Sequence, residues 1–252
     1  MFSGEPGDRI IVALDVDNRT TARRYIEELA PYVGPFKIGL GLITPGLAPA
    51  IVRDIFSIGG KVFYDGKFND VPNTVAAASR EVTRLSVTMF TVHCLSGCEA
   101  LKAAVTAVKL AYKVDRLTGI TPLVLGVTLL TSLSERNLRE MGLGPRITGG
   151  SLKDIVAEMA QEAKQAGLSG VVASPLEIEI IRETCGPDFL IITPGVRPAG
   201  ASVGDQKRVM TPAEAIKAGA DYLVIGRPIL EPKSGTPIEV AKHIAEEISS
   251  VL

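Results

Sequence analysis

KVFYDGKFNDVPNTV, residues 61–75, opens as an apolar run and closes on the first turn of a helix. On a strand, side chains two apart share a face, so Asp65 and Lys67 point the same way. Asp70 falls just past the strand end, and Pro72 suits the first turn of the helix that follows. The same passage from short aliphatic run to helix recurs along the chain. Strands are predicted at residues 10–15, 36–40, 61–67, 87–93, 123–128, 170–173, 189–193 and 222–225. Helices are predicted from Asn18 or Thr20 to residue 30, after the second strand to about residue 58, and at 72–85, 98–112, 153–167, 176–184, 212–219 and 236–249. Eight alternating pairs in 252 residues predict a single-domain (β/α)8 TIM barrel. A doubly wound sheet is the competing arrangement. It usually carries a Gly-rich turn after its first strand, where this chain has Asp15-Val16-Asp17-Asn18.

The rhythm breaks twice. Residues 131–150, TSLSERNLREMGLGPRITGG, hold a short polar helix and a Gly-rich loop, read as an insertion or lid after the fifth strand. Residues 194–210 form a second long loop with three glycines and Arg197, Asp205, Gln206, Lys207 and Arg208.

Hydrophobic residues make up 46% of the chain and aromatic ones 5%, with no Trp, so aliphatic packing must fill the core. A net charge of −1 gives no reason to expect nucleic acid or an anionic membrane as partner. Three cysteines, Cys94, Cys98 and Cys185, lack the paired spacing of a zinc site or a disulfide framework and are expected to be reduced thiols. The N-terminal segment is polar, and no run of about 18 apolar residues occurs, so a soluble, cytoplasmic protein is expected.

In a barrel the chemistry gathers where strands end. Those positions hold Asp15, Lys37, Asp65 and Lys67 with Asp70 beyond, then His93, Thr128 and Thr131, Arg197, and Gly226-Arg227. Thr193-Pro194-Gly195-Val196-Arg197 and Ile225-Gly226-Arg227 both read as phosphate turns, offering backbone N–H groups, close approach at glycine and a guanidinium fork. Lys37, Asp65, Lys67 and Asp70 alternate in sign and can hold one another ionised in a partly dry site. Like charges at about 4 Å and an effective dielectric of about 20 repel by roughly 4 kcal/mol, which loss of a substrate carboxylate as CO2 would relieve. A surface salt-bridge ladder is the plainer alternative. His93 reads as a structural, hydrogen-bonded histidine and His243 as solvent-facing; a metal shared by His93, Cys94 and Cys98 is rejected.

Asp65-Gly66-Lys67-Phe68-Asn69-Asp70-Val71-Pro72-Asn73-Thr74-Val75 resembles the signature of the orotidine 5′-phosphate decarboxylase family. Further matches follow in order: Val12-Ala13-Leu14-Asp15, Phe36-Lys37-Ile38-Gly39, Thr91-Val92-His93, Val127 to Ser132, Thr193 to Pro198, Asp205 to Arg208, and Gly226-Arg227-Pro228-Ile229. The resemblance implies decarboxylation of orotidine 5′-monophosphate to UMP, the last step of de novo pyrimidine synthesis, without metal or organic cofactor. By that likeness Lys67 protonates C6, Asp65 sits against the substrate carboxylate, and Lys37 holds the charged array and the ribose. Asp15 and Thr74 contact ribose hydroxyls, Thr131 lines the site near the base, and Gln206 bridges pyrimidine and phosphate. Arg197, Gly226 and Arg227 bind phosphate and nearby polar groups. Asp70 and Thr74 would complete the neighbouring subunit's site in a homodimer. Two positions depart from the pattern: Gly66 replaces a bulky aliphatic residue, and Asn69 stands where many relatives have His. Metal-dependent sugar-phosphate relatives share Asp-x-Lys-x-x-Asp but put an acidic ligand on the second strand, where this chain has Lys37. A non-catalytic nucleotide-binding barrel would be marked by loss of a charged array member, and none is lost.

Overall fold

A computed structural model describes residues 4–115, 117, 119–140, 151–198 and 210–252. Eight parallel strands close into a barrel in sequence order, β8 returning to pair with β1 through Ile10↔Leu223, Ile11↔Val224 and Val12↔Ile225. The strands are β1 (Ile10–Ala13), β2 (Phe36–Ile38), β3 (Val62–Phe68), β4 (Met89–His93), β5 (Leu123–Val127), β6 (Gly170–Val172), β7 (Leu190–Pro194) and β8 (Tyr222–Ile225). The expected TIM barrel is therefore observed, with strand ends displaced by one or two residues.

Helices α1 (Arg19–Leu29), α2 (Leu40–Ile43), α3 (Ala48–Ser57), α4 (Pro72–Arg84), α5 (Cys98–Val114) and α6 (Glu135–Glu140) lie in the first part of the chain. They are followed by α7 (Leu152–Gln165), α8 (Ile178–Cys185), α9 (Pro212–Ala218), α10 (Arg227–Leu230) and α11 (Pro237–Ser249). Local chemistry sets their starts. The Asn18 side chain accepts from Thr21 N–H to cap α1, and Thr211/Glu214 and Thr236/Glu239 form capping boxes on α9 and α11. Two features correct the expectation. The helix predicted to run to residue 58 is broken into α2 and α3, because Pro45 cannot continue α2 and Gly46 turns the chain at φ +77°. The short α10 immediately after β8 was not anticipated.

The core is two-layered. Ile11, Phe63, Met89, Leu125, Ile192 and Val224 point into the barrel, while alternate strand residues such as Ile10, Val12, Phe36, Phe90 and Val92 pack outward against the helices. With no tryptophan, Phe36, Phe63 and Phe90 are the largest fully buried side chains.

Near the start of β8, Arg182 of α8 donates to the carbonyls of Gly186, Pro187, Phe189 and Gly219 and to the Asp221 carboxylate. Asp221 in turn accepts from Ile191 N–H, so one guanidinium ties α8 to the starts of β7 and β8. Among the described residues, no helix is long and apolar enough to cross a membrane. Residues 131–140 carry α6, as expected of a short polar helix; residues 141–150 of that segment and 199–209 of the loop after β7 lie outside the described residues.

Candidate active site

Alternation along β3 turns Asp65 and Lys67 to one face, and barrel closure brings two more charges to them. Lys67 Nζ lies 2.5 Å from Asp65 Oδ2. Lys37 Nζ, from the centre of β2, lies 3.6 Å from the same oxygen and 3.5 Å from Asp15 Oδ1, two residues past β1. The result is a chain of alternating sign, Asp15–Lys37–Asp65–Lys67, with no net charge. Asp65 is buried. Burial pushes its carboxyl up, but the Lys37 and Lys67 charges and hydrogen bonds from Lys67 and Thr91 outweigh that and hold it below the ordinary carboxylate range.

The β3–β4 ladder is irregular at this point. Tyr64 pairs with Phe90, yet the next pair is Phe68 with Val92, so three residues of β3 face Thr91 alone. Lys67 takes φ +47°, a region that non-glycine residues seldom enter. Its N–H donates to Thr91 Oγ1 at 2.8 Å, and that hydroxyl donates to Asp65 Oδ1 at 2.9 Å. Within the matching strand Thr91-Val92-His93, the family resemblance gives Thr91 no role. The one available signal is a hydroxyl at an inward position of β4, between the apolar Phe90 and Val92.

A cavity of about 250 Å³ opens above this array. Its charged floor is Asp15, Lys37, Asp65 and Lys67; Val127, Leu129 and Val172 give it an apolar side; Arg197, Gly226 and Arg227 come from the turns after β7 and β8. Thr131 and Leu130 lie at its rim. At Gly226 a Cβ would stand 3.0 Å from Asp15 Oδ2 and 3.3 Å from Ala13 Cβ, so the backbone turn is pressed against the ribbon that carries Asp15. Thr128 turns away, donating to the Val172 carbonyl.

The structure therefore brings together Asp15, Lys37, Asp65, Lys67, Thr131, Arg197, Gly226 and Arg227. It separates Asp70 and Thr74 from them. Asp70 is exposed and its Oδ1 accepts from Val71 N–H at the start of α4; Thr74 is exposed on the first turn of the same helix. Gln206 lies outside the described residues.

Both departures from the family pattern have a structural reading. A Cβ at Gly66 would come 2.8 Å from a Phe68 ring carbon and 2.9 Å from a Tyr64 ring carbon, so the tilted Tyr64–Phe68 pair fills the outward space a bulky residue would take. Asn69 accepts from Ser96 Oγ at 2.8 Å, tying the loop after β3 to the loop after β4. His93 is buried and accepts from Leu95 N–H; burial, with Lys67 nearby, lowers its pKa and favours the neutral ring. Cys94, Cys98 and Cys185 are free thiols, and burial pushes Cys94 up to about 12. His243 is exposed on α11.

Opposed charges gathered over the C-terminal ends of parallel strands are what a (β/α)8-barrel enzyme presents to a small substrate. The family model described as orotidine 5′-phosphate decarboxylase / HUMPS matches residues 8–244, and the chain belongs to that family. A protein of Syntrophomonas wolfei named orotidine 5′-phosphate decarboxylase is 48% identical over 241 residues, covering 96% of this chain and 98% of the relative. One of the same name from Moorella thermoacetica is 49% identical over 245 residues, covering 97% and 93%. The crystal structure of orotidine 5′-phosphate decarboxylase from Lactobacillus acidophilus superposes with a TM-score of 0.76 at 31% identity, covering 96% of this chain and 99% of that one.

Proposed function

We propose that this chain decarboxylates orotidine 5′-monophosphate to UMP and CO2, the closing step of pyrimidine nucleotide synthesis, in the cytoplasm and without a metal or organic cofactor. The observation that carries the reading is Asp65, buried between two ammonium groups at the floor of a cavity that arginines also line. In this reading Arg197, Arg227 and the Gly226 turn take the phosphate and Gln206 bridges it to the pyrimidine. Asp15 and Lys37 hold the ribose, and Thr131 sits near the base. The substrate carboxylate then lies against Asp65. The C6–carboxylate bond breaks heterolytically, CO2 leaves, and the electron pair stays at C6 beside the Lys67 ammonium. Lys67 transfers a proton to C6 and is reprotonated from water. Preorganised positive charge stabilises the carbanion, and phosphate binding energy helps hold the carboxylate against a like charge. Asp70 and Thr74, exposed on this chain, reach the site of a second copy, which makes the homodimer the active unit.

The metal-dependent alternative is disfavoured by Lys37, which stands on the second strand where those relatives put an acidic ligand and would repel a cation from Asp65. The fall in orotidine monophosphate absorbance, followed with and without EDTA, tests the reading. Turnover that survives EDTA and disappears in Lys67→Ala, with UMP still bound, supports it. Turnover lost to EDTA, or unchanged in Lys67→Ala, overturns it.

A further inference from the structure

We propose that Thr91 is a positioning residue whose single hydroxyl sets the Asp65–Lys67 pair; the inference rests on the decarboxylase reading above. β3 places Asp65, Gly66 and Lys67 where β4 offers one residue, Thr91. A slip of this kind re-aims a side chain and leaves backbone groups without ladder partners. Here the side chain re-aimed is Lys67, carried at φ +47°, and the backbone group at stake is its N–H. A partly buried N–H without a ladder partner needs an acceptor, and Thr91 Oγ1 supplies it at 2.8 Å.

Proton direction follows. A hydroxyl has one hydrogen, so an oxygen that accepts from Lys67 N–H gives its own proton to Asp65 Oδ1, at 2.9 Å. That bond adds to the two ammonium charges in favouring an ionised Asp65 and occupies Oδ1, leaving Oδ2 to face the ammonium groups of Lys37 and Lys67. One atom thus fixes the backbone that carries the proton donor and the orientation of the carboxylate that faces the substrate. Thr91 is fully buried, and its neighbours Met89, Phe90 and Val92 are apolar, so the substituting group must come from position 91 itself.

Thr91→Val keeps the branched shape and removes the hydroxyl; Thr91→Ser keeps the hydroxyl and removes a methyl. kcat and KM for orotidine monophosphate and the affinity for UMP are measured on the full chain. Displacement of a reacting group by about 1 Å costs on the order of 10²-fold in rate. Thr91→Val is therefore expected to lose roughly 10²-fold in kcat, with KM and UMP affinity within about threefold of the parent. Thr91→Ser is expected to recover kcat to within about fivefold. Parental kcat in Thr91→Val overturns the proposal, as does an equal loss in both variants or a loss confined to KM. If Thr91→Val does not fold, Thr91→Cys, a weak donor of similar size, takes its place, and a kcat equal to that of Thr91→Ser overturns the proposal. A parent protein that does not turn over orotidine monophosphate refutes the functional reading instead; a parent that does, matched by Thr91→Val, refutes only the role of Thr91.

Discussion

Replacing Asp65 by Asn should separate the binding of substrate from the binding of product. Asp65 is buried, with Lys67 Nζ at 2.5 Å and Lys37 Nζ at 3.6 Å from the same oxygen. A substrate carboxylate placed about 4 Å from it, at an effective dielectric of about 20, is repelled by roughly 4 kcal/mol. UMP has no such carboxylate and meets no such repulsion. At 1.4 kcal/mol per tenfold, removing the charge should tighten orotidine monophosphate binding by up to about 10³-fold relative to UMP. The measurement needs a protein that does not consume its ligand, so Lys67→Ala is the background, and calorimetry compares it with Lys67→Ala/Asp65→Asn for both nucleotides. In the Asp65→Asn single variant, kcat and KM should fall together, the pattern of removed ground-state strain. Equal shifts in affinity for the two nucleotides would refute the repulsion argument and leave carbanion stabilisation as the whole account.

Three further outcomes are expected. Lys67→Ala and Asp70→Ala, each inactive alone, should recover up to about a quarter of parental activity when unfolded and refolded together at equal concentration, because half the dimers then carry one intact shared site; no recovery would mean each chain completes its own site. Arg182→Ala removes bonds to four carbonyls and to Asp221. The loss of about 3 kcal/mol expected for a broken, partly buried pair should lower Tm by roughly 6–12 °C at this chain length, read by circular dichroism, with kcat at 25 °C unchanged. Finally, the depressed Asp65 carboxyl stabilises the fold above its unfolded pKa of about 4 and loses that contribution as pH falls through the lower folded value. Tm of the parent should therefore drop between about pH 5 and pH 3 more steeply than Tm of Asp65→Asn; equal slopes would contradict the shift.

Much of this molecule was legible along the chain because the signals were local. Pro72 at the start of α4 and the Thr–Glu capping pairs of α9 and α11 act within four residues of themselves. The interval that misled, 40–58, contained its own warning in Pro45-Gly46 but reads as one apolar stretch. At the site, proximity in sequence was the poorer guide. Asp70 is three residues from Lys67 yet lies outside the cavity, whereas Lys37 is thirty residues away and touches the array. Lys37 and Asp15 could be nominated from strand ends and from the family resemblance; their contact with each other could not.

By itself, the sequence determined the alternation of strand and helix, the shared face of Asp65 and Lys67, and the set of charges at the strand ends. Apolar period, capping chemistry and the two-residue repeat of a strand depend only on near neighbours. Tertiary structure alone decided the order Asp15–Lys37–Asp65–Lys67, the contact of the Gly226 turn with Asp15, and the slip that places Lys67 at positive φ over Thr91. These depend on barrel closure and on the register between neighbouring strands, and register is a property of two segments held side by side rather than of either one.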